Sequence, residues 1–305
     1  MAIDTFRAAV VRTPGGPDAI ELIDVPVVEP GPGNVRVRVA AAPVNPVDLA
    51  VAGGFFHARG LISQPERTGL GWDFAGTVLA AGPDVDLPVG TRVAGLVPGF
   101  DRDYGTYAEQ LVIPVANIAV VPDGLDLPAA STVPVNGLAA AQIVDLLGDA
   151  PTGRNRLLVT GAAGAVGGYL VVLAQDRGWQ VTGLARAEDE SIVRGLGAGF
   201  LTHAGPGWDA VADGAALQEQ DLALVRDGGA FIGVQPGAAP PAERGISVSA
   251  VLTVPDSQRL GDLLARAAAG QLPTRIHAIV PLTDAAEAHR AVAKGGVRGR
   301  YVLQP

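Results

Sequence analysis

The chain has 305 residues, is 48% hydrophobic and 17% charged, and carries a formal net charge of -9. That is enough apolar material for two cores, and an acidic surface repels phosphate backbones and anionic lipid, so neither nucleic acid nor a membrane is an expected partner. Cysteine is absent, which removes disulfides, thiolate chemistry and cysteine-ligated metals. The first residues lack a charged segment followed by an apolar one, and Gly, Pro or charge cuts every apolar run before the ~18 residues that a span needs. A soluble, cytoplasmic chain is the expectation.

The first 120 or so residues read as strands between Gly/Pro turns. β-Branched runs at 7–12, 34–43, 75–81, 92–97 and 107–113 are bounded by PGGPD, EPGPGN, AGPDVDLPVG and VPDG. A short helix at 48–53 interrupts them, and the whole reads as an antiparallel, barrel-like domain. After Pro122 the pattern changes. Residues 127–147 form an Ala/Leu-rich helical stretch, and from Arg156 short apolar strands alternate with amphipathic helices. Strands fall at 156–160, 180–184, 210–212, 230–234 and 246–254, and helices at 165–177, 187–195 and 256–269. Such alternation implies a parallel sheet covered on both faces. The tail, 275–305, returns to strand–helix–strand and can rejoin the first domain. The predicted boundaries are 1–121, completed by 271–305, and 122–270. One connection is unusual. About five residues, 204–208, separate a strand near Phe200 from the next, where a parallel crossover usually takes a dozen or more.

The segment RLLVTGAAGAVGGYLVVLAQDRG carries the chemistry. A strand runs into Gly161, then Gly164 and Gly167, and a helix opens at once. Glycines there allow a tight turn and bring main-chain N–H groups close to a pyrophosphate, which the positive end of the helix dipole faces. The candidate cradle is Gly161, Ala162, Ala163, Gly164, Ala165 and Val166. About twenty residues on, the second strand ends at Ala185-Arg186. A dinucleotide site selective for NAD places a carboxylate there, whereas a guanidinium pairs with a 2′-phosphate. NADPH is therefore the expected cofactor. A solvated surface arginine is the structural alternative for Arg186, and Glu188, Asp189 and Glu190 temper its field.

Two hydride-transfer chemistries are ruled out by residue type. A Tyr/Lys pair four residues apart is unavailable, because Lys294 is the only lysine and Arg290 stands at that offset. A Cys/His zinc site is unavailable too, because His57, His203, His277 and His289 have no metal-ligand spacing. No metal is expected.

The ordered segments VNPVDLAVAGG (44–54), GWDFAGTV (71–78), VGTRVAGL (89–96), GTYAEQLVIP (105–114), PVNGLAAAQ (134–142), DGGAFIGV (227–234) and GRYVL (299–303) resemble the quinone oxidoreductase branch of the medium-chain dehydrogenase/reductase superfamily, the zinc-independent group related to zeta-crystallin. In zinc-dependent relatives a cysteine stands at Asn45, and Gly71-Trp72-Asp73 reads Gly-His-Glu. The resemblance implies an α/β fold class, with a Rossmann doubly wound parallel sheet and a GroES-like β-barrel domain. It implies a nicotinamide beside Asn45, Pro46 and Asp48, with Asn136, Val234, Gln235 and Val251, Leu252 and Thr253 also lining the cofactor site. It further implies a homodimer joined through the sheet edge near 246–254. Three departures stand out: Ala50 where relatives carry a tyrosine, Ala139 where a threonine is common, and the short 204–208 link.

The expected reaction is hydride transfer to a quinone or an α,β-unsaturated carbonyl compound, the protein supplying orientation and preorganised electrostatics. Asn45 is placed to hold a carbonyl oxygen or a ribose. Asp48 is the carboxylate expected near the ring, with capping of a short helix as its structural alternative. Tyr107, with Tyr104, is an acid candidate that could equally pack. Two other readings stay open: an ene-reductase tailoring a bulky polyketide-like substrate, and a non-catalytic NADPH-binding sensor or structural protein.

Overall fold

The computed structural model describes residues 4–64, 66–235 and 237–305. The chain forms two compact units, one of Met1–Val135, Pro255–Ala269 and Thr274–Pro305, the other of Asn136–Val254 and Gly270–Pro273. These limits differ from the 1–121 and 122–270 read from sequence. Residues 122–135 and the helix near 257–268 pack with the first unit, where apolar partners await them. Pattern changes in the chain mark element types, not the surfaces that elements bury.

In chain order the first unit has β1 (Thr5–Val11), β2 (Ile20–Pro26), β3 (Asn34–Pro43), α1 (Pro46–Ala52), β4 (Thr68–Gly69), β5 (Asp73–Ala81), β6 (Arg92–Leu96), β7 (Gln110–Pro114), β8 (Ile118–Val120) and α2 (Leu127–Ser131). The helix α3 (Pro134–Leu147) then leads into β9 (Arg156–Thr160), α4 (Ala165–Gln175), β10 (Gln180–Leu184), α5 (Glu190–Gly195), β11 (Gly199–Leu201), β12 (Trp208–Asp213), α6 (Glu219–Leu222), β13 (Val225–Gly233) and β14 (Ser247–Ala250). The chain returns to the first unit with α7 (Ser257–Ala268), β15 (Ile276–Pro281), α8 (Ala285–Ala293) and β16 (Arg300–Gln304). No helix among the described residues is long and apolar enough to cross a membrane.

The first unit is built on two sheets, β2-β1-β4 and β15-β16-β3-β5-β6-β8, with β7 also paired to β3. Val35, Val37 and Val39 of β3 alternate inward as period-two strand geometry requires. They meet Phe74, Val78, Leu111, Ile113 and Leu303 in one core. A fully buried side chain such as Phe74 contributes roughly 1.5–3 kcal/mol. The C-terminal strand β16 pairs with β3 through Val302↔Pro43 and Leu303↔Ala42, so the tail completes the sheet that carries α1.

The second unit holds a six-stranded sheet in the order β11-β10-β9-β12-β13-β14, every pairing parallel. Four of the five residues of β9 are buried, the run expected of a strand covered on both faces. The short link is real: Thr202–Gly207 joins β11 to β12 without a helix. The short strand β11 survives at the sheet edge, paired to β10.

Local differences have local causes. The 127–147 stretch is two helices, because Pro134 lacks an N–H and disfavours helical backbone in the residue before it. The strand expected at 246–254 ends at Ala250. Beyond it, both backbone groups of Val254 bond the Gln142 side chain, and Pro255 cannot pair. The strand expected at 107–113 lies at 110–114, and β2, β4 and β8 were not legible from the sequence pattern.

Candidate active site

Within the first unit, α1 opens at Pro46 with Asn45 as its N-cap, in extended backbone at φ -111° and ψ 155°. Asn45 and Asp48 form a capping box, in which each side chain accepts from the other's backbone N–H, the Asn45 N–H lying 2.9 Å from Asp48 Oδ2. Such reciprocal bonds satisfy two helix-terminal donors. Asp48 does more than cap, however. Its Oδ1 accepts the Gly71 N–H at 3.1 Å, and the Tyr107 hydroxyl also bonds its carboxyl. The Tyr107 hydroxyl lies 3.3 Å from His289 Nε2. Asn45 Nδ2 donates to Asp73 Oδ2 at 2.8 Å, and Asp73 Oδ1 accepts the Val135 N–H at 2.6 Å. Segments from α1, the start of β5, the loop before β7 and α8 thus meet in one hydrogen-bonded cluster.

The turn at Gly71 makes this possible. Its φ is +93°, and a Cβ there would overlap the Thr106 hydroxyl and the Tyr107 ring; only glycine fits. The carbonyl oxygen of Gly71 accepts from Arg102 Nη2 at 2.7 Å, and Arg102 Nη1 reaches the carbonyls of Val97 and Gly99.

Burial sets the electrostatics. Asn45, Asp48, Asp73, Tyr107 and His289 are all at most 2% exposed. Removal from water, which penalises a charged carboxylate, raises Asp48 to about 6 against the lowering by the Asn45 and Gly71 N–H groups and the Arg102 charge. It raises Asp73 to about 8, against Val135 and Asn45 and helped by the charge on Asp48. Burial thus favours the protonated acid at Asp73. Burial likewise lowers His289 to about 4, holding it neutral, and lowers Arg102 to about 10, which leaves it a cation. The Tyr107 hydroxyl is raised well above its usual value by burial and by Asp48, so it keeps its proton. It braces Asp48 from inside the core. Tyr104 is half-buried and packs edge-on against Phe6 at 5.5 Å.

In the second unit the glycine turn has the expected shape. Gly161 has φ +61°, its carbonyl accepts the Gly164 N–H at 2.7 Å, and Gly164 caps the eleven-residue α4, which opens at Ala165 and Val166. A Cβ on Gly167 would overlap the Gly161 carbonyl, so strand exit and helix approach at backbone distance. First-turn N–H groups of a helix lack intrahelical acceptors, and a pyrophosphate fits such a cradle. Ala162 and Ala163 are buried beneath it. Ala185 bonds the Leu201 carbonyl, and the Arg186 side chain is 61% exposed, with only a 4.0 Å approach from Glu188. That guanidinium is accessible to an anion, and no carboxylate occupies the Ala185 position.

Val234 is half-buried and Gln235 exposed, its amide bonded to Gln218. Val251 bonds the Gly233 carbonyl, Leu252 is exposed, Thr253 is half-buried, and Asn136 is buried in the first turn of α3. The residues at 161, 185, 234 and 251 each follow the C-terminal end of a strand of one parallel sheet, the edge where open α/β sheets bind ligands.

Asp73, Arg102 and His289 escaped the sequence reading. The Gly71–Val78 segment signalled the neighbourhood but not the role of Asp73, and nothing in sequence tied His289 to Tyr107. In the second unit Asp213 was also missed. Buried at the end of β12, it accepts from Thr160, Ala215 and Gln218. It thereby pins a loop in which Ala216 and Gln218 have φ of 58° and 54°. The neighbouring Asp221 is raised by burial and by Asp213. Among the described residues no group of three or more His, Cys, Asp or Glu side chains could hold a metal ion.

Residues 31–123 match the family described as alcohol dehydrogenase GroES-like domain, and residues 188–303 that described as zinc-binding dehydrogenase. A quinone oxidoreductase of Pseudomonas aeruginosa is 33% identical over 178 residues, 58% of this chain and 52% of that protein. The chain thus spans about half the length of this curated relative. Among solved structures, the quinone oxidoreductase of Coxiella burnetii superposes with a TM-score of 0.85 at 25% identity, covering 99% of this chain and 100% of the other. An NAD-dependent alcohol dehydrogenase is 31% identical with a TM-score of 0.81, over 98% of this chain and 99% of its own.

Proposed function

The chain belongs to the medium-chain dehydrogenase/reductase superfamily, and we propose that it is a zinc-independent, NADPH-dependent reductase of quinones or α,β-unsaturated carbonyl compounds. The observation that carries this reading is the glycine turn: Gly161 at positive φ, and Gly167 in backbone contact with it at the head of α4. When bound, a reduced nicotinamide supplies the hydride, and the substrate gains one hydride and one proton. The turn and the first turn of α4 hold the pyrophosphate, and Arg186 pairs with the 2′-phosphate. Ala162, Ala163, Ala165, Val166, Ala185, Val234, Gln235, Val251, Leu252, Thr253 and Asn136 complete the nucleotide site.

Asn45 presents its amide to the substrate oxygen or a ribose hydroxyl, with Pro46 beside it. Asp73 fixes the amide's rotamer, while Asp48, braced by Tyr107, fixes the backbone of the N-cap. Asp48 and Tyr107 are positioning residues, and the proton comes from solvent. The role of a metal in polarising the carbonyl falls to fixed hydrogen-bond donors, which need no reorganisation as charge develops. The edge strand β14, paired on one side to β13, is the proposed homodimer seam.

The reading is tested by NADPH oxidation at 340 nm with a panel of quinones and enones, on wild type and on Asn45→Ala. Turnover in wild type with kcat reduced at least tenfold in the variant is expected. No turnover with any acceptor would overturn it.

A further inference from the structure

His289 is a polar residue set into the apolar face of α8. Ala285, Ala288 and His289 are the buried residues of that helix, and the two alanines lie in the core that also holds Val51 and Ala52 of α1. Residues three and four apart share one side of a helix, so His289 turns inward with them and is 0% exposed. Burial keeps it uncharged, lowered to about 4. Its ring meets that of Tyr107 edge-on, with centroids 5.7 Å apart at 81°, and Nε2 lies 3.3 Å from the Tyr107 hydroxyl. Nδ1 is buried without a hydrogen-bond partner. For filling space alone an apolar side chain would serve better, because an unmet buried polar atom costs free energy.

Proton counting fixes the direction of the contact. The Asp48 carboxylate can only accept, and it accepts from the Asn45 and Gly71 N–H groups and the Tyr107 hydroxyl. Tyr107 has one hydroxyl proton to give. With that proton turned to Asp48, Tyr107 offers His289 an oxygen lone pair, which only an Nε2–H can meet. A neutral imidazole carries a single N–H, so Nδ1 is then a bare acceptor. The opposite tautomer would set two lone pairs against each other and orphan an N–H in the core, the rarer defect in folded chains. Asp73 at the start of β5, Arg102 in the loop after β6 and Arg300 of β16 act on this cluster through their charges.

We propose that His289 is a positioning residue for the reduction: as the Nε2–H tautomer it donates to Tyr107, commits the tyrosine proton to Asp48, and so holds the cap from which Asn45 presents its amide. Its effect on turnover rests on the reductase reading. Hydrogen bonds running in one direction polarise and strengthen one another. A proton taken up by Asp48 and aimed at Tyr107 would have to reverse that direction, pushing the tyrosine proton to Nε2 and the imidazole into its Nδ1–H form. His289 therefore favours the carboxylate form of Asp48.

The test uses the full chain as wild type, His289→Leu, His289→Gln, Tyr107→Phe and the double variant His289→Leu/Tyr107→Phe, with circular dichroism melts to establish folding. Nitrogen NMR of the histidine rings at pH 7 reads the tautomer in wild type, where His289 should carry its proton on Nε2. Steady-state rates with NADPH and 1,4-naphthoquinone are then followed from pH 5 to 8. His289→Leu is expected to lower kcat about fivefold with KM for NADPH unchanged, and to move the acid limb set by Asp48 upward by about half a pH unit. His289→Gln, whose amide N–H can stand in for Nε2–H, should restore both. In the Tyr107→Phe background His289→Leu should cost nothing further. Given turnover in wild type, a proton on Nδ1, an unmoved acid limb in His289→Leu, or equal losses in the Leu and Gln variants would overturn the role of His289 and leave the reductase reading standing. Absence of turnover in wild type would overturn that reading, and this role with it, whatever the tautomer.

Discussion

The glycine turn of the second unit and the polar cluster of the first solve opposite problems. Around Gly161 the work is done by backbone: removal of side chains lets a strand exit and a helix N-terminus approach one another, leaving main-chain N–H groups to meet an anion. Around Asn45 the work is done by side chains. Two carboxyls, a neutral histidine and a tyrosine are taken out of water and linked to Asn45 by hydrogen bonds, while the Arg102 guanidinium binds nearby backbone carbonyls. The first arrangement fails when an atom is added, the second when one is removed. That asymmetry separates their expected responses to mutation.

Gly167→Ala is expected to give the largest effect. The new Cβ meets main-chain atoms that cannot swing aside, so NADPH affinity should fall more than a hundredfold by calorimetry while the first unit keeps its fold. An alanine that binds normally would show that the close approach is not needed. Next comes Asp73→Ala, which strips the acceptor from Asn45 Nδ2 and from the Val135 N–H. At about 1–3 kcal/mol for each buried group left unsatisfied, urea unfolding should show a loss of about 2–6 kcal/mol.

Smaller, but more diagnostic, is the pH dependence of stability. Burial raises Asp73 to about 8 and Asp48 to about 6 from 3.8, so the folded chain retains protons that the unfolded chain has released. The stabilisation is complete below pH 3.8 and is lost as pH rises through 6 and then 8, at a limiting slope of about 1.4 kcal/mol per pH unit per group. His289 acts the other way: lowered from 6.5 to about 4, its contribution is lost as pH falls through that range. Urea midpoints between pH 6.5 and 8 should therefore decline in wild type and flatten in Asp73→Asn. An equal decline in both would place the proton elsewhere. The smallest effect is expected at the exposed Arg194–Glu190 pair on α5, where Arg194→Ala should cost only about 0.3–0.5 kcal/mol in the same assay.

The same asymmetry explains what was legible in sequence. The glycine turn lies within seven residues, and its spacing states its geometry. The strand-to-helix alternation around it, and the strand limits at 34–43, 156–160 and 180–184, follow from local periodicity. The polar cluster is assembled from positions 45–48, 71–73, 102–107 and 289, which only the packing of β3, β5 and β16 brings together. Asp48 was legible as a helix cap and Asn45 as a site residue, but the raised pKa of Asp73 depends on burial, which no local pattern encodes. The compact units differ from the limits read in sequence for a related reason. Residues 122–135 and 255–269 join whichever unit offers an apolar face, and their own helical periodicity says nothing of which one.

The proposed reaction rests on NADPH binding by the second unit through the glycine turn and Arg186. Calorimetric titration of NADPH and NADH into wild type and Arg186→Ala tests it most directly. Loss of a guanidinium–phosphate pair, worth about 1.5–3 kcal/mol, should weaken NADPH about ten- to a hundredfold and leave NADH nearly unchanged. Equal affinity of the variant and wild type for NADPH would contradict the role of Arg186, and binding of neither nucleotide to wild type would contradict the claim as a whole.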